Sequence, residues 1–251
     1  MRIALIGRGR VATHLLKALL QAGHEVVSVN SRTLEELPLE ADVYILSVKD
    51  SALQDVIHNA VKGREGQLFV HTAGSMSMDL FKGCCARYGV LYPMQTFSLD
   101  REVNFREIPL FIEASDAATL QRIRALADSV SQHVYELSTA DRRYLHLAAV
   151  FACNFTNHCY ALAADVLAQK GLPFDVMLPL IDETARKVHE LHPTDAQTGP
   201  AVRGDQNVMD AQSALLDDRL ATIYMLMSES IKDEKERYDQ LRLTEDTGHR
   251  V

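Results

Sequence analysis

Two glycines near the start of the chain have a spacing that suits phosphate binding. The segment GRGRVA, residues 7–12, follows the apolar run RIALI and opens an amphipathic pattern, VATHLLKALLQA. Gly7 permits a tight turn, Gly9 lets the backbone approach a pyrophosphate, and Ala12 allows a helix to pack closely on a strand. Since the N–H groups that open such a helix bind anions, the turn is predicted to hold a dinucleotide; the alternative is a βα turn that requires glycines only for its geometry. The residues expected at the cofactor are Gly7, Arg8, Gly9, Arg10, Val11 and Ala12.

A second group of polar residues, NSRT, follows the β-type run EVVSV. Sites that prefer NAD usually carry Asp or Glu here to bind the ribose hydroxyls, whereas this chain has Asn30, Ser31, Arg32 and Thr33. Arg32 can pair with a 2′-phosphate, and Ser31 and Thr33 can donate hydrogen bonds to it. The sequence therefore favours NADP(H) over NAD(H), and the alternative for Arg32 is a solvated loop arginine.

Polar residues also follow the next two β-type runs. Ser47, Val48 and Lys49 come after VYIL, and HTAGS, residues 71–75, closes the run that begins QLFV. The carboxyl ends of parallel strands line the ligand crevice in doubly wound folds, so we expect both segments at the cofactor. Ordinary helix-cap chemistry is the alternative for each. The contacts predicted from the second segment are Thr72, Ala73 and Gly74.

The elements that must position these residues fall into two halves. Up to residue 137, β-rich runs alternate with helical patterns, which predicts βαβ units and a parallel sheet with helices on both faces. The predicted strands are RIALIG, EVVSVNS, VYILSVK, QLFVHTAG, GVLYPM, PLFIEAS and HVYELS. The predicted fold class is α/β, with a Rossmann-type doubly wound parallel sheet in residues 1–138 and an all-helical domain in residues 139–251.

The second half carries helical patterns and no strand signal. A long helix is predicted over residues 139–170, with a start signal at Ser138 and Asp141 and an end at Gly171. Further helices are predicted over residues 173–190 and 206–240, and the Pro/Gly/Thr-rich loop between them is long enough to indicate a functional role. The tail TEDTGHRV is expected to be disordered.

Composition narrows the classes of partner. The chain of 251 residues has a formal net charge of −8, which disfavours nucleic acids and anionic membranes, because both need a clustered basic face. No run reaches the roughly 18 apolar residues of a membrane span and no signal peptide precedes the first strand, so a cytoplasmic protein with a small-molecule substrate is expected. The four cysteines include no C-x-x-C pair, and neither a disulfide nor a metal site is expected.

Several segments resemble a known superfamily. RIALIGRGRVATHL, NSRT, SVKDSAL and HTAGS, together with the all-helical second half, resemble pyrroline-5-carboxylate reductase, 3-hydroxyisobutyrate dehydrogenase and deazaflavin-dependent NADP reductase. Within that superfamily HTAGSMSMD, YPMQTFS and HLAAVFACNFTNHCYALA are most similar to a bacterial group of NADP oxidoreductases. That group has a Rossmann-like half and a helical half of unknown function, similar to the C-terminal domain of 6-phosphogluconate dehydrogenase. The resemblance implies that the nicotinamide lies between the halves and that the first long helix presents residues to the substrate.

That helix lacks the lysine found in hydroxyacid members of the superfamily. No Lys occurs between Lys82 and Lys170, which argues against a hydroxyacid dehydrogenase mechanism. At 100° per residue His146, Val150, Cys153 and Asn157 form a stripe, flanked by Asn154 and His158. A histidine can donate a proton near neutral pH and an asparagine can orient a carbonyl or imine. The predicted catalytic candidates are therefore Asn154, His146 and His158, and the alternative is that both histidines are core or interface residues.

The loop over residues 197–205, QTGPAVRGD, supplies the predicted substrate contacts. It is similar to a segment through which pyrroline-5-carboxylate reductases contact substrate across a dimer, and Thr198, Gly199 and Arg203 could hold an anionic substrate. A plain exposed loop is the alternative. A homodimer through the helical half is expected from the family and from apolar segments such as YALAADVLAQKGL and ATIYMLMSES.

These observations predict an NADP(H)-dependent oxidoreductase. Hydride would pass between the nicotinamide and a small carbonyl, imine or deazaflavin-like acceptor, with the cofactor supplying the chemistry and the protein supplying position. The alternative is a non-catalytic dinucleotide-binding sensor or regulator, because a Rossmann half indicates binding more firmly than catalysis.

Overall fold

The structure is a computed structural model that describes residues 1–248. By its internal contacts the chain forms two compact units, Met1–Asn154 and a second that begins at Phe155. The sequence-based boundary at residue 138 marks the change from strands to helices, whereas the first unit also includes the helix that follows. Among residues 1–248 no helix has both the length and the apolar character needed to cross a membrane.

The first unit is built on a seven-stranded sheet with the order β2-β1-β3-β4-β5-β6-β7. Its strands are β1 (Arg2–Ile6), β2 (Glu25–Val29), β3 (Val43–Leu46), β4 (Leu68–His71), β5 (Arg87–Pro93), β6 (Leu110–Ala114) and β7 (Val134–Glu136). The first five strands are parallel, whereas β6 pairs with β5 in the antiparallel sense and β7 is parallel to β6. The Rossmann-type α/β prediction is thus confirmed, with the last two strands reversed.

The reversal follows from the connection between β5 and β6. Parallel neighbours need a long crossover, usually a helix that packs on the sheet. Residues 94–109 contain only the 3₁₀ turn Phe105–Glu107, so β6 returns beside β5 in the opposite direction.

The helices of the first unit are α1 (Arg10–Gln21), α2 (Asp50–Val61), α3 (Ala117–Val130) and α4 (Thr139–Ala149). The predicted start signal of α4 is confirmed, because the Ser138 hydroxyl accepts a hydrogen bond from the Asp141 backbone N–H at 3.2 Å. Asp116 caps α3 in the same way, accepting from the Thr119 N–H at 2.9 Å. Polar caps of this kind fix where each helix begins.

Both faces of the sheet are buried. Alternate residues of β1 enter different clusters: Ile3 and Leu5 pack with α1 and α3, and Ala4 and Ile6 pack with α2. Strands that are apolar on both faces are typical of parallel sheets covered by helices on each side. The core of the first unit is therefore complete within that unit.

The second unit consists of helices. They are α5 (Thr156–Ala168), α6 (Leu178–Glu190), the one-turn α7 (Pro193–Ala196) and α8 (Pro200–Arg203), α9 (Gln206–Ser213) and α10 (Asp218–Gly248). Gly171 has a φ of +67°, as expected of a residue that ends a helix.

Two expectations for the second unit are wrong. The helix predicted over 206–240 is divided, because the Asp217 carboxylate accepts from the Leu220 N–H at 2.8 Å and starts a new helix there. The tail predicted to be disordered is helical as far as Gly248, and its last three residues lie outside the described part of the chain.

Candidate functional site

Gly7 and Gly9 in the first turn differ in backbone conformation and in the space that a side chain would have. Gly7 has a φ of +125°, and a Cβ atom there would lie 2.1 Å from the Ser47 carbonyl oxygen. Gly9 has an ordinary φ of −78°, and a Cβ there would have no neighbour within 4 Å among residues 1–248. The fold requires Gly7, whereas the missing side chain at Gly9 leaves open space in front of α1.

The N-terminus of α1 is free to bind an anion. Gly9 is its N-cap, no side chain in the described part of the chain caps the helix, and its first turn carries no acidic residue. The first N–H groups of a helix have no acceptor within it, and together they attract negative charge. Arg8 and Arg10 are exposed beside them, Val11 is half-buried, and Ala12 is buried in the core cluster against β1.

The turn after β2 places one guanidinium in solvent. The Asn30 side-chain oxygen accepts from the Arg32 N–H at 3.0 Å, and the Asn30 carbonyl accepts from the Leu34 N–H at 3.1 Å. Asn30 thus shapes the turn, while Ser31 is half-buried and Arg32 and Thr33 are exposed. The Arg32 guanidinium has no ion-pair partner within residues 1–248, so its charge is available to a ligand.

A pair of hydroxyls joins the ends of β3 and β4. Ser47 and Thr72 are both buried, and the Thr72 hydroxyl donates to the Ser47 hydroxyl at 3.2 Å. Val48 is half-buried and Lys49 is exposed at the start of α2. These residues lie at the carboxyl edge of the parallel strands, the edge from which the turn at Gly7 also emerges.

His71 has a structural role at the end of β4. Its ring is fully buried, its Nδ1 accepts from the Ala73 N–H at 3.2 Å, and its Nε2 lies 3.3 Å from the Ser77 carbonyl. Burial, together with the nearby Arg142 charge, lowers the pKa of His71 to about 4. The ring is therefore neutral at physiological pH and holds the loop that contains Ala73 and Gly74.

Tyr92 and His146 form a hydrogen-bonded pair at the same edge. The Tyr92 hydroxyl lies 3.0 Å from His146 Nδ1, and the rings meet edge to face with centroids 5.9 Å apart. A Cβ on Gly74 would lie 2.6 Å from the Tyr92 ring and 2.8 Å from His146 Nδ1. Gly74 therefore leaves room for this pair, whatever further contact it makes with a cofactor.

The sequence prediction includes His146 but not Tyr92. Tyr92 stands near the end of the predicted strand GVLYPM, in a segment that also carries the family resemblance. The rule that polar groups at carboxyl strand ends line a ligand crevice, applied to Ser47 and Thr72, could have found it.

A buried ion pair fixes α4 one turn before His146. Arg142 is 0% exposed and donates to a Glu113 carboxylate oxygen at 2.6 Å and to the Met76 carbonyl at 2.6 Å. Glu113 also accepts from the Thr139 N–H at 2.8 Å, and within residues 1–248 the Arg142 Nε has no hydrogen-bond partner. This clamp joins α4 to β6 and to the loop after β4.

A π-helical turn, Val150–Phe155, interrupts the long helix between α4 and α5. It alters the 100° spacing, so the stripe predicted from His146 through Val150 and Cys153 to Asn157 does not continue regularly across it. Asn154 is exposed on this turn. Its predicted part in catalysis stays a prediction.

The remaining candidates lie in the second unit. His158 is exposed on α5, Thr198 is exposed, and Gly199 has a φ of +116° before α8. Arg203 is exposed and its Nε pairs with the Asp205 carboxylate at 2.8 Å. Their predicted contacts with substrate stay predictions.

Comparison with known proteins gives two family matches. Residues 2–39 match the family of coenzyme F420-dependent NADP oxidoreductases, and residues 108–231 match a domain of unknown function, DUF2520. No curated protein matches the chain in sequence.

Solved structures extend this result. A protein from Bacteroides fragilis, to which an NADP oxidoreductase function has been assigned, is 48% identical, with a TM-score of 0.88 over 92% of this chain and 98% of that one. An imine reductase from Myxococcus stipitatus in complex with NADP⁺ is 17% identical, with a TM-score of 0.68 over 94% and 95%. A 1-pyrroline-5-carboxylate reductase from Streptococcus pyogenes is 16% identical, with a TM-score of 0.61 over 93% and 98%.

The two distant structures show the fold alone, whereas the Bacteroides fragilis protein is a relative over nearly its whole length. The resemblance found in the sequence is confirmed, and the cofactor of the matched families is the NADP expected from it. The chain belongs to the family of NADP oxidoreductases that join a Rossmann-type first half to a helical half of the DUF2520 type.

Proposed function

We propose that this protein binds NADP(H) and transfers hydride between its nicotinamide and a small acceptor with a C=O or C=N bond. The observation that carries the proposal is the open space at Gly9, in front of an uncapped helix at the carboxyl edge of the sheet. Nothing in the fold requires glycine at that position, whereas a pyrophosphate at the helix N-terminus does.

The charged groups support NADP(H) over NAD(H). The exposed Arg32 guanidinium, with Ser31 and Thr33 beside it, suits a 2′-phosphate, and no carboxylate in this turn would repel that group. Arg8 and Arg10 add positive charge near the pyrophosphate. When bound, the cofactor supplies the hydride, and the protein's residues hold it and the acceptor in place.

The acceptor class is inferred from the family and from the site. The two distant structural neighbours are an imine reductase and a pyrroline-5-carboxylate reductase, and both names describe the reduction of a C=N bond. The chain has no lysine between Lys82 and Lys170 for hydroxyacid chemistry, and the Tyr92–His146 pair offers a different source of protons. A deazaflavin-like acceptor belongs to the same proposal because residues 2–39 match an F420-dependent family.

We also propose a homodimer through the helical unit. Residues 155–244 contain only two buried side chains, Ala201 and Met209, although α6 and α10 carry many large apolar residues. Helices with this composition need another surface to pack against, and a second copy of the chain supplies one.

We also propose a cytoplasmic location, where cysteines are ordinarily reduced; the four cysteines of this chain are free thiols.

Calorimetric titration of the full-length protein with NADPH and NADH tests the cofactor assignment. We expect NADPH to bind more tightly, and Arg32→Asp to weaken it about 10- to 100-fold, as loss of a charge-assisted hydrogen bond predicts. NADH binding should change little. Arg101→Asp, at another exposed position of the first unit, is the matched control. Absence of binding for either nucleotide at millimolar concentration would overturn the proposal.

A further inference from the structure

We propose that Tyr92 is the catalytic proton donor to the acceptor and that His146 returns the proton to it. This inference rests on the proposed function, since it concerns the acceptor side of the same reaction. It assigns a role to Tyr92 and a direction of proton transfer through the pair.

The position of Tyr92 suits a group that faces the acceptor. It lies at the carboxyl end of β5, which is parallel to β1, β3 and β4. The ends of those strands carry the Gly7 turn, Ser47 and Thr72. The phenol therefore stands at the edge where a nicotinamide ring would reach the first unit.

The hydrogen-bond partner of Tyr92 separates it from a tyrosine that only packs. The hydroxyl of Tyr44, also in the core of this unit, donates to the Pro38 carbonyl at 3.0 Å, which fixes it in one direction. Within residues 1–248 the Tyr92 hydroxyl has instead a titratable partner, His146 Nδ1 at 3.0 Å, on a helix distant in sequence. Gly74, by lacking a side chain, leaves the space that both rings occupy.

The surroundings keep the phenol protonated. Burial raises the pKa of Tyr92, the Arg142 charge lowers it in part, and Cys153 raises it. His146 from α4 is hydrogen-bonded to the Tyr92 hydroxyl, and Arg142 from α4 and Cys153 from the π-helical turn act on it electrostatically. At neutral pH Tyr92 carries a proton that it can give, and the imidazole beside it has a ring nitrogen within hydrogen-bond distance to return one.

The proton and electron balance of the step is complete. The bound cofactor would supply hydride to the acceptor carbon, where a C–H bond would form as the electron pair of the C=O or C=N π bond moves to the oxygen or nitrogen. That atom takes the Tyr92 hydroxyl proton, and the phenolate oxygen takes the Nδ1 proton of protonated His146. The neutral imidazole regains a proton from solvent. The acceptor is reduced to an alcohol or amine and the cofactor is oxidised.

Kinetics of the full-length protein with NADPH test the role of Tyr92, with 1-pyrroline and glyoxylate as the acceptor probes. For Tyr92→Phe we expect kcat to fall about 100- to 10,000-fold, the usual range for loss of general acid catalysis. The dissociation constant of NADPH, measured by calorimetry, should change less than about threefold. Tyr135→Phe, on the exposed part of β7, is the matched control.

His146→Gln tests the return of the proton. It should lower kcat less than Tyr92→Phe does and remove the limb of the pH profile that reports the imidazole. His58→Gln on the exposed face of α2 is its control. A readout without turnover is the NMR titration of ¹³C-labelled histidine rings, in which Tyr92→Phe should shift the pKa of His146 and Tyr135→Phe should not.

The outcomes separate the two proposals. A wild-type protein that fails to bind NADPH overturns the proposed function and the proton relay with it. A wild-type protein that binds NADPH and reduces neither probe overturns the relay and the C=O or C=N acceptor. A wild-type protein that reduces either probe, with Tyr92→Phe folded and within about threefold of its kcat, overturns the relay alone. An unchanged His146 titration in Tyr92→Phe also overturns the relay.

Discussion

The two units of this chain differ in how fully they bury their apolar side chains. In the first unit a seven-stranded sheet has an apolar cluster on each face and is covered by α1, α2 and α3. In the second, residues 155–244 contain only two buried side chains, while Leu180, Leu215 and Leu226 are each more than half exposed. The first unit is stabilised by its own core, whereas the second has the composition of an interface.

The proposed function and the proposed homodimer use different units of the chain. The phosphate turn, the hydroxyl pair at the strand ends and the Tyr92–His146 pair all belong to the unit with the complete core. A rigid scaffold can hold such groups in place, which binding and catalysis require.

Loss of a buried arginine should have the largest effect. Arg142→Ala removes the ion-pair partner of the Glu113 carboxylate, whose side chain is only 15% exposed, and we expect a loss of about 3–5 kcal/mol in the free energy of unfolding. Arg186→Ala in α6 removes a side chain that is 71% exposed, and we expect a change within about 0.5 kcal/mol. Urea denaturation followed by circular dichroism measures both. Equal effects would contradict the distinction between the units.

The buried His71 should make the first unit sensitive to acid. Its pKa is about 4 in the folded protein, below the ordinary histidine value of 6.5, so the unfolded chain binds more protons between these values. Stability should therefore fall as the pH drops from about 6.5 to 4, by about 3 kcal/mol from this group. His71→Gln should flatten that slope, whereas His58→Gln at an exposed position should leave it unchanged. Urea denaturation curves measured from pH 6.5 to 4 give the free energy of unfolding that tests this prediction.

A charge on the apolar face of the second unit should weaken the proposed dimer. Leu226 in α10 is 61% exposed and Leu99 in the first unit is 60% exposed, so they form a matched pair. We expect Leu226→Glu to raise the dimer dissociation constant about 30-fold, which corresponds to about 2 kcal/mol at an interface. Leu99→Glu should have no effect. Sedimentation velocity measures this, and a monomeric wild-type protein at micromolar concentration would contradict it.

Local patterns predicted much of the fold from the sequence. The seven strands, the caps at Ser138 and Gly171, and the glycine turn depend on residues close together in the chain, where periodicity and turn chemistry act directly. The reversed direction of β6 depends on how the connection between β5 and β6 packs. The residues of β6 itself do not determine this direction. The helix break at Asp217 was missed because the helical pattern resumes at once on its far side.

The candidate site was predicted only in part, for a related reason. Gly7, Arg32 and Ser47 follow strands directly, so their common edge follows from parallel pairing. Tyr92 and His146 are far apart in sequence, and their hydrogen bond exists only because α4 returns to the sheet. Arg142 is a charged residue in a helix, and a sequence pattern predicts that such a residue is exposed. In the structure it is buried, because its charge is paired with Glu113.

The space in front of α1 is the proposed cofactor site, and Gly9→Val tests this assignment most directly. A valine has room there in the free protein and is compatible with the extended backbone at this position, so unfolding stability should fall by no more than about 1 kcal/mol. We predict that NADPH affinity, measured by calorimetry on protein shown to be folded, falls at least about 10-fold because the side chain fills the space of the pyrophosphate. Unchanged NADPH affinity in folded Gly9→Val would contradict a cofactor site in front of α1.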